Sequence, residues 1–155
     1  MTARYAANTT VKSEASRNEI ERTLVRYGAE AFSYGWDGNK AVIQFVASGR
    51  QVRFVLPLPD RTDSQFTRTE TGRPRSATAA NLEYEKAVRQ RWRALALVVK
   101  AKLEAVAAEI VTFEEEFLSH LVLPSGQTVY ESVHEDVHAL YASGSVRPLA
   151  LGGGK

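Results

Sequence analysis

The chain of 155 residues contains no cysteine and one methionine. The lack of cysteine excludes disulfide bonds, thiol catalysis and cysteine-ligated zinc. No hydrophobic run approaches the roughly 20 residues that a membrane-spanning helix needs, and the first residues show no hydrophobic segment of the signal-peptide type. We therefore expect an intracellular protein that has no membrane partner.

Two widespread catalytic patterns are also missing. The sequence has neither a glycine-rich phosphate loop of the P-loop or Rossmann type nor a G-x-S-x-G motif, and no cofactor is predicted. Its hydrophobic fraction of 44% and charged fraction of 25% are ordinary for a globular protein. Length and composition predict one domain over residues 13–144, with flexible tails at residues 1–12 and 145–155.

The first half of the chain predicts one helix and three strands. A capping-box pattern at Ser16 and Glu19 begins a helix that runs to Tyr27 and ends at Gly28. Three alternating segments separated by turn residues follow, which predicts an antiparallel meander. The predicted strands are Ala31–Trp36, Ala41–Ala47 and Gln51–Leu58.

The second half predicts helices. Residues 60–80 are polar and predict a mobile loop. Apolar residues then recur at helical spacing over Ala80–Ile110, which predicts one long helix. Two short helices follow, which begin with capping boxes at Thr112 with Glu115 and at Thr128 with Glu131. The last helix has Val133, Val137 and Leu140 on its apolar face and ends at Gly144. The fold class is therefore α+β: a three-stranded antiparallel meander covered by a long helix, with an N-terminal helix and two short C-terminal helices.

Positive charge is concentrated in the middle of the chain. Residues 48–102 contain twelve Lys and Arg against five Asp and Glu, whereas the whole chain has a net charge of only +2. A cluster of one sign in a nearly neutral protein is typical of proteins that bind polyanions.

Ten residues are predicted to contact nucleic acid. Tyr34 and Trp36 are expected to stack on unpaired bases, and eight cations are expected to neutralise phosphates. These cations are Arg50, Arg53, Arg73, Arg75, Lys86, Arg89, Arg93 and Lys100. The alternative interpretation is a solvated helix face, whose charges neighbouring glutamates neutralise through i,i+3 and i,i+4 pairs.

Residues 134–138 read His-Glu-Asp-Val-His and match the zinc-hydrolase pattern H-E-x-x-H. The spacing places His134 and His138 on one helical face, where they could hold zinc with Glu135 as general base. A third ligand would have to come from upstream, because no His, Asp or Glu follows the pattern. The alternative is an amphipathic helix whose polar face holds two histidines.

Three segments resemble a group of small uncharacterised phage and prophage proteins: Gly35–Pro59, Arg91–Phe117 and Pro124–Val129. The β-β-β-α order of residues 31–110, with a basic helix crossing a meander, resembles the core of phage single-strand annealing proteins. The resemblance implies a phage origin, a location in the cytoplasm of a bacterial host, and oligomers that hold single-stranded DNA in a basic groove.

These observations predict a non-enzymatic, homo-oligomeric protein that binds single-stranded nucleic acid and anneals strands during recombination. Two alternatives are consistent with the same sequence. One is a protein-interaction module, either a phage factor that binds a host protein or a structural adaptor. The other is a zinc-dependent hydrolase that uses residues 134–138.

Overall fold

A three-stranded antiparallel sheet forms the centre of the fold in the computed structural model, which describes residues 13–144. Its strands are β1 (Ala31–Asp37), β2 (Lys40–Ala47) and β3 (Arg50–Pro57), in the order β1-β2-β3. The β2–β3 turn places Ser48 and Gly49 at positive φ, as a two-residue hairpin turn of type I′ requires. The predicted meander is confirmed, and the two predicted tails lie outside the described residues.

Five helices accompany this sheet within residues 13–144, and all but the last pack in or beside the core. They are α1 (Glu14–Arg26), α2 (Ser64–Thr67), α3 (Ala77–Ala107), α4 (Phe113–Phe117) and α5 (Val129–Ser143), with a 3₁₀ turn at Leu118–His120. The predicted α+β class, with its long helix and two short C-terminal helices, is confirmed. None of the helices within residues 13–144 is both long and hydrophobic enough to cross a membrane.

The core lies between the sheet and helices α1 and α3. Ile43, Phe45 and Val52 point from the sheet into it and are almost completely buried. Trp92 of α3 is 1% exposed and packs against Tyr34, with the ring centroids 5.4 Å apart. Burial of one large residue stabilises the fold by about 1.5–3 kcal/mol, so this packing sets which side of α3 faces inward.

Two helix starts differ from the sequence prediction. Helix α1 begins at Glu14 after Ser13, so Ser16 lies inside the helix and forms no capping box. The Glu14 carboxylate favours the earlier start, because it lies near the positive end of the helix dipole. Helix α3 begins at Ala77, where the Ser76 hydroxyl accepts a hydrogen bond from the Ala79 amide. Gly28, with φ of 89°, ends α1 as predicted.

The segment predicted as a mobile loop contains regular structure. Phe66 of α2 is 4% exposed and packs edge-on against Tyr84 of α3. The Arg75 guanidinium donates to the carbonyls of Gln65 and Phe66 at 2.7 and 3.2 Å. These contacts join the segment to α3, whose first turn takes up residues 77–80. The mobility of the rest of the segment stays a prediction.

The chain after α3 returns to the edge of the sheet. Phe117 is completely buried and packs edge-on against Phe45 and Phe54 of the sheet. Beyond it, Leu121 forms an isolated bridge with Val52, and the Val122 amide donates to the Gln51 carbonyl at 2.8 Å. Residues 113–128, called the C-terminal arm below, therefore protect the β3 edge.

Helix α5 extends from the C-terminal arm and contacts the core through Val129, its first residue. Its capping box of Thr128 and Glu131 and its end at Gly144 are confirmed, but none of its residues is buried. Val133, Val137 and Leu140, which were predicted to form its apolar face, are 40%, 45% and 71% exposed. The amphipathic pattern is therefore present, but this chain does not cover it within residues 13–144.

Candidate nucleic-acid interface

A row of four basic side chains lies along one flank of α3. The row, called the cationic row below, consists of Lys86, Arg89, Arg93 and Lys100. At 100° and 1.5 Å per residue, its members share an arc of about 60° and a length of about 21 Å. All four side chains are exposed, and none forms a salt bridge or hydrogen bond with a residue in the range 13–144.

The packing of α3 determines this placement. Val88, Trp92 and Val99 are each at most 1% exposed and define the inner face of the helix. Helical periodicity then turns the cationic row toward one flank, because its members lie roughly 60–120° around the axis from Trp92. A long helix that is packed along the sheet holds these charges at fixed spacing.

The basic residues on the other flank of α3 are structural. The Arg91 guanidinium donates to the Pro57 carbonyl at 3.1 Å, at the end of β3. Lys102 forms a half-buried salt bridge with Glu116 of α4 at 3.1 Å and also donates to its carbonyl at 3.2 Å. The two flanks of α3 therefore have different roles, because one binds neighbouring elements and the other faces solvent.

Arg50 and Arg53 lie apart from the cationic row and already have partners. Arg50 binds the carboxylate of Glu114 in a salt bridge of 2.6 Å. Arg53 donates to the Gly126 carbonyl at 3.0 Å and lies 3.9 Å from the carboxylate of Glu131. Both arginines thus hold the C-terminal arm on β3, and their contact with phosphate stays a prediction.

The arginines before α3 also differ from one another. The Arg75 guanidinium donates to backbone carbonyls of α2 and so stabilises the segment before α3. Arg73 is exposed, and its backbone amide donates to the Thr69 hydroxyl at 3.1 Å. Of these two residues, Arg73 is the one whose guanidinium is open to a ligand in the described part of the chain.

The two aromatic candidates lie in different environments. The Tyr34 ring is half-buried, contacts Trp92, and has the Arg17 guanidinium 4.4 Å from its centroid. Tyr34 therefore belongs to the core, where a base could not reach its faces without displacing these groups. Trp36, two residues further along β1, is 54% exposed and can offer a ring face to a ligand.

The His-Glu-Asp-Val-His segment lies on the exposed helix α5. The rings of His134 and His138 are 6.4 Å apart, and the Nδ1 atom of His134 lies 3.1 Å from the Tyr130 carbonyl. Upstream of this segment, His120 and Glu131 are the two candidates for a third zinc ligand. Both already have other contacts. His120 stacks on Phe54 with a centroid distance of 4.0 Å, and Glu131 closes the capping box of α5.

No group of three or more His, Asp or Glu side chains within residues 13–144 is arranged to hold a metal ion. Burial lowers the pKa of His120, and the nearby Lys102 lowers it further. A neutral imidazole stacked on an aromatic ring is consistent with a packing role. The geometry of the described residues therefore gives a zinc hydrolase no support.

No protein-family model matches this chain, and neither a curated protein nor a solved structure is significantly similar to it. The phage origin and the annealing role stay predictions from the sequence. Among the predicted contact residues, the cationic row, Arg73 and Trp36 are exposed and open to a ligand.

Proposed function

We propose that this protein binds single-stranded nucleic acid, without catalysis, through the cationic row of α3. The observation that carries the proposal is the set of four exposed cations on a rigid helix, none of which has a carboxylate partner among the described residues. Elsewhere on the same domain, Arg50, Arg53 and Lys102 do have such partners. What distinguishes this flank is that four such cations follow one another along a single helix at regular spacing.

The row would bind the phosphate backbone by charge and by release of condensed counterions. Its length of about 21 Å follows from fourteen residue steps of an α-helix. Such contacts carry no sequence information, so affinity should depend little on base sequence.

Trp36 supports the preference for single strands. An exposed indole can stack on an unpaired base, and such stacking contributes about 1–3 kcal/mol per base. In a duplex the bases already stack on each other, so this contribution is lost. Within this function we place the annealing of complementary strands during phage recombination, with several copies bound along one strand.

The test compares two variants by fluorescence anisotropy with labelled single- and double-stranded oligonucleotides. For single strands, each phosphate contact changes log K by about 0.7 for every tenfold change in salt concentration. Between 1 M and roughly 50 mM salt, one contact therefore adds about eightfold to the affinity. The double variant Arg89→Gln and Arg93→Gln should therefore bind single strands roughly 60-fold more weakly.

The matched control is Arg50→Gln, which also removes an exposed arginine but one that is paired with Glu114. We expect its affinity to stay within about twofold of the wild-type value, because a paired guanidinium releases few counterions on binding. Absence of binding by the wild type, or equal losses in the two variants, would overturn the proposed function.

A further inference from the structure

Helix α5 presents an apolar face that the described residues leave open. Five large side chains of this face are between 40% and 71% exposed. They are Tyr130, Val133, Val137, Leu140 and Tyr141. A helix of 15 residues with no buried side chain has little stability of its own in water, because isolated helices of this length are marginal. The face therefore needs a partner.

A second apolar surface lies on α3, roughly opposite its core face. This surface, called the outer stripe, consists of Ala94, Leu97, Val98, Ala101 and Ala105. Leu97 and Val98 are 56% and 45% exposed. The other three members are alanines, which allow a second helix to approach the backbone closely.

The two surfaces match in length and in shape. The outer stripe extends over eleven residue steps, from Ala94 to Ala105, and the open face of α5 extends over eleven steps, from Tyr130 to Tyr141. Both are therefore about 17 Å long. Large side chains on α5 face small ones on α3, which is the arrangement that lets two helices interdigitate.

Charge decides which surface α5 prefers. Helix α5 carries Glu131, Glu135 and Asp136 but no Lys or Arg, so two copies of α5 would repel each other. At the edge of the outer stripe, Arg93 and Lys100 lie about 40° and 60° around the axis from Leu97. These two cations outnumber the single exposed carboxylate at that edge, Glu104. An acidic helix is attracted to such a border, whereas repulsion between like charges disfavours a contact between two copies of α5.

We propose that α5 of one copy packs along the outer stripe of α3 in a second copy. Within a single copy both surfaces are exposed at the same time, so α5 does not cover the stripe of its own chain. The contact joins two different patches, and repeated copies would form a ring or a filament. All four members of the cationic row lie beside the stripe and not on it, so they remain open to phosphates.

This proposal does not rest on nucleic-acid binding, and sedimentation velocity of the full chain tests it without a nucleic acid. Val137→Asp removes the α5 surface, and Leu97→Asp removes the outer stripe. The control is Val25→Asp, on the outer side of α1, where Val25 is 65% exposed. We expect the wild type and the control to associate below about 100 µM, and each of the other variants to associate at least tenfold more weakly.

Mixing the two defective variants gives the sharpest outcome. Val137→Asp retains the outer stripe and Leu97→Asp retains the α5 face, so an equimolar mixture should form one-to-one complexes and nothing larger. Because both positions are exposed, the core should fold as in the wild type, and any helix content lost in circular dichroism should not exceed the 15 residues of α5. Tyr141→Asp provides a second α5 variant.

Three results would overturn the proposal. One is a monomeric wild type, as expected if the chain's own residues or a foreign protein cover α5. Another is normal association of Leu97→Asp, which would indicate pairing between two α5 helices. The last is a mixture of Val137→Asp and Leu97→Asp that stays monomeric.

Discussion

The salt dependence of oligonucleotide binding measures how many cations of α3 contact phosphate. The structure leaves four cations of the row without a partner among residues 13–144. For single strands each phosphate contact adds about −0.7 to the slope of log K against log salt, so the expected slope is about −2.8. Affinity should then fall roughly 50-fold between about 50 and 200 mM salt.

A series of single substitutions refines this number. Replacing Lys86, Arg89 or Lys100 by Gln should change the slope to about −2.1, since one contact is lost in each variant. Lys102→Gln is the control, because Lys102 already neutralises Glu116. Its slope should stay near −2.8, although removing this half-buried pair will lower the thermal stability of the protein.

Titrations followed by anisotropy at four or five salt concentrations give each slope directly. The reasoning is refuted by a wild-type slope near zero, because a row of phosphate-binding cations cannot release counterions without salt dependence. It is also refuted if the slope of Lys102→Gln becomes as shallow as the slopes of the variants in the row. In that case the salt bridges seen in the structure would not distinguish free cations from engaged ones.

Two further predictions concern the C-terminal arm. Phe117→Ala should lower the free energy of unfolding by about 3–5 kcal/mol. In thermal denaturation, Tm should therefore fall by at least about 6 °C. The control is Phe113→Ala, at a half-buried site, and an equal loss in this variant would contradict the central role of Phe117. Burial lowers the pKa of His120 below its usual 6.5, so the unfolded chain binds its proton more readily. Stability should consequently decrease as pH falls below about 6.5, and a His120→Gln variant that shows the same decrease between about pH 7 and pH 5.5 would refute this.

The elements of the fold could be predicted from local sequence. Alternation in the three strands, turn residues between them and the helical spacing of apolar residues each act within a few neighbours. The capping boxes at Thr112 and Thr128 were predicted correctly for the same reason. The start of α1 was predicted wrongly, because several nearby residues can begin a helix and the pattern at Ser16 was only one of them.

The candidate site could be predicted only in part. Charge counting identified the basic region, but it could not separate Arg50, which binds Glu114, from Arg89, which binds no described residue. The Arg50–Glu114 pair joins residues 64 positions apart, and no local pattern reports such a distance. In the same way, the aromatic strand β1 predicted two stacking residues, whereas the fold buries much of Tyr34 and leaves Trp36 exposed.

The amino-acid sequence by itself determined the α+β class, the order of the elements and the concentration of positive charge before and along α3. These properties depend on residue type and on spacing along one chain. Only the tertiary structure decided which cations remain unpaired, that α5 stays outside the core, and that α3 keeps a second apolar face. Those properties depend on which surfaces the packed core covers, and burial is settled between elements that are distant in sequence.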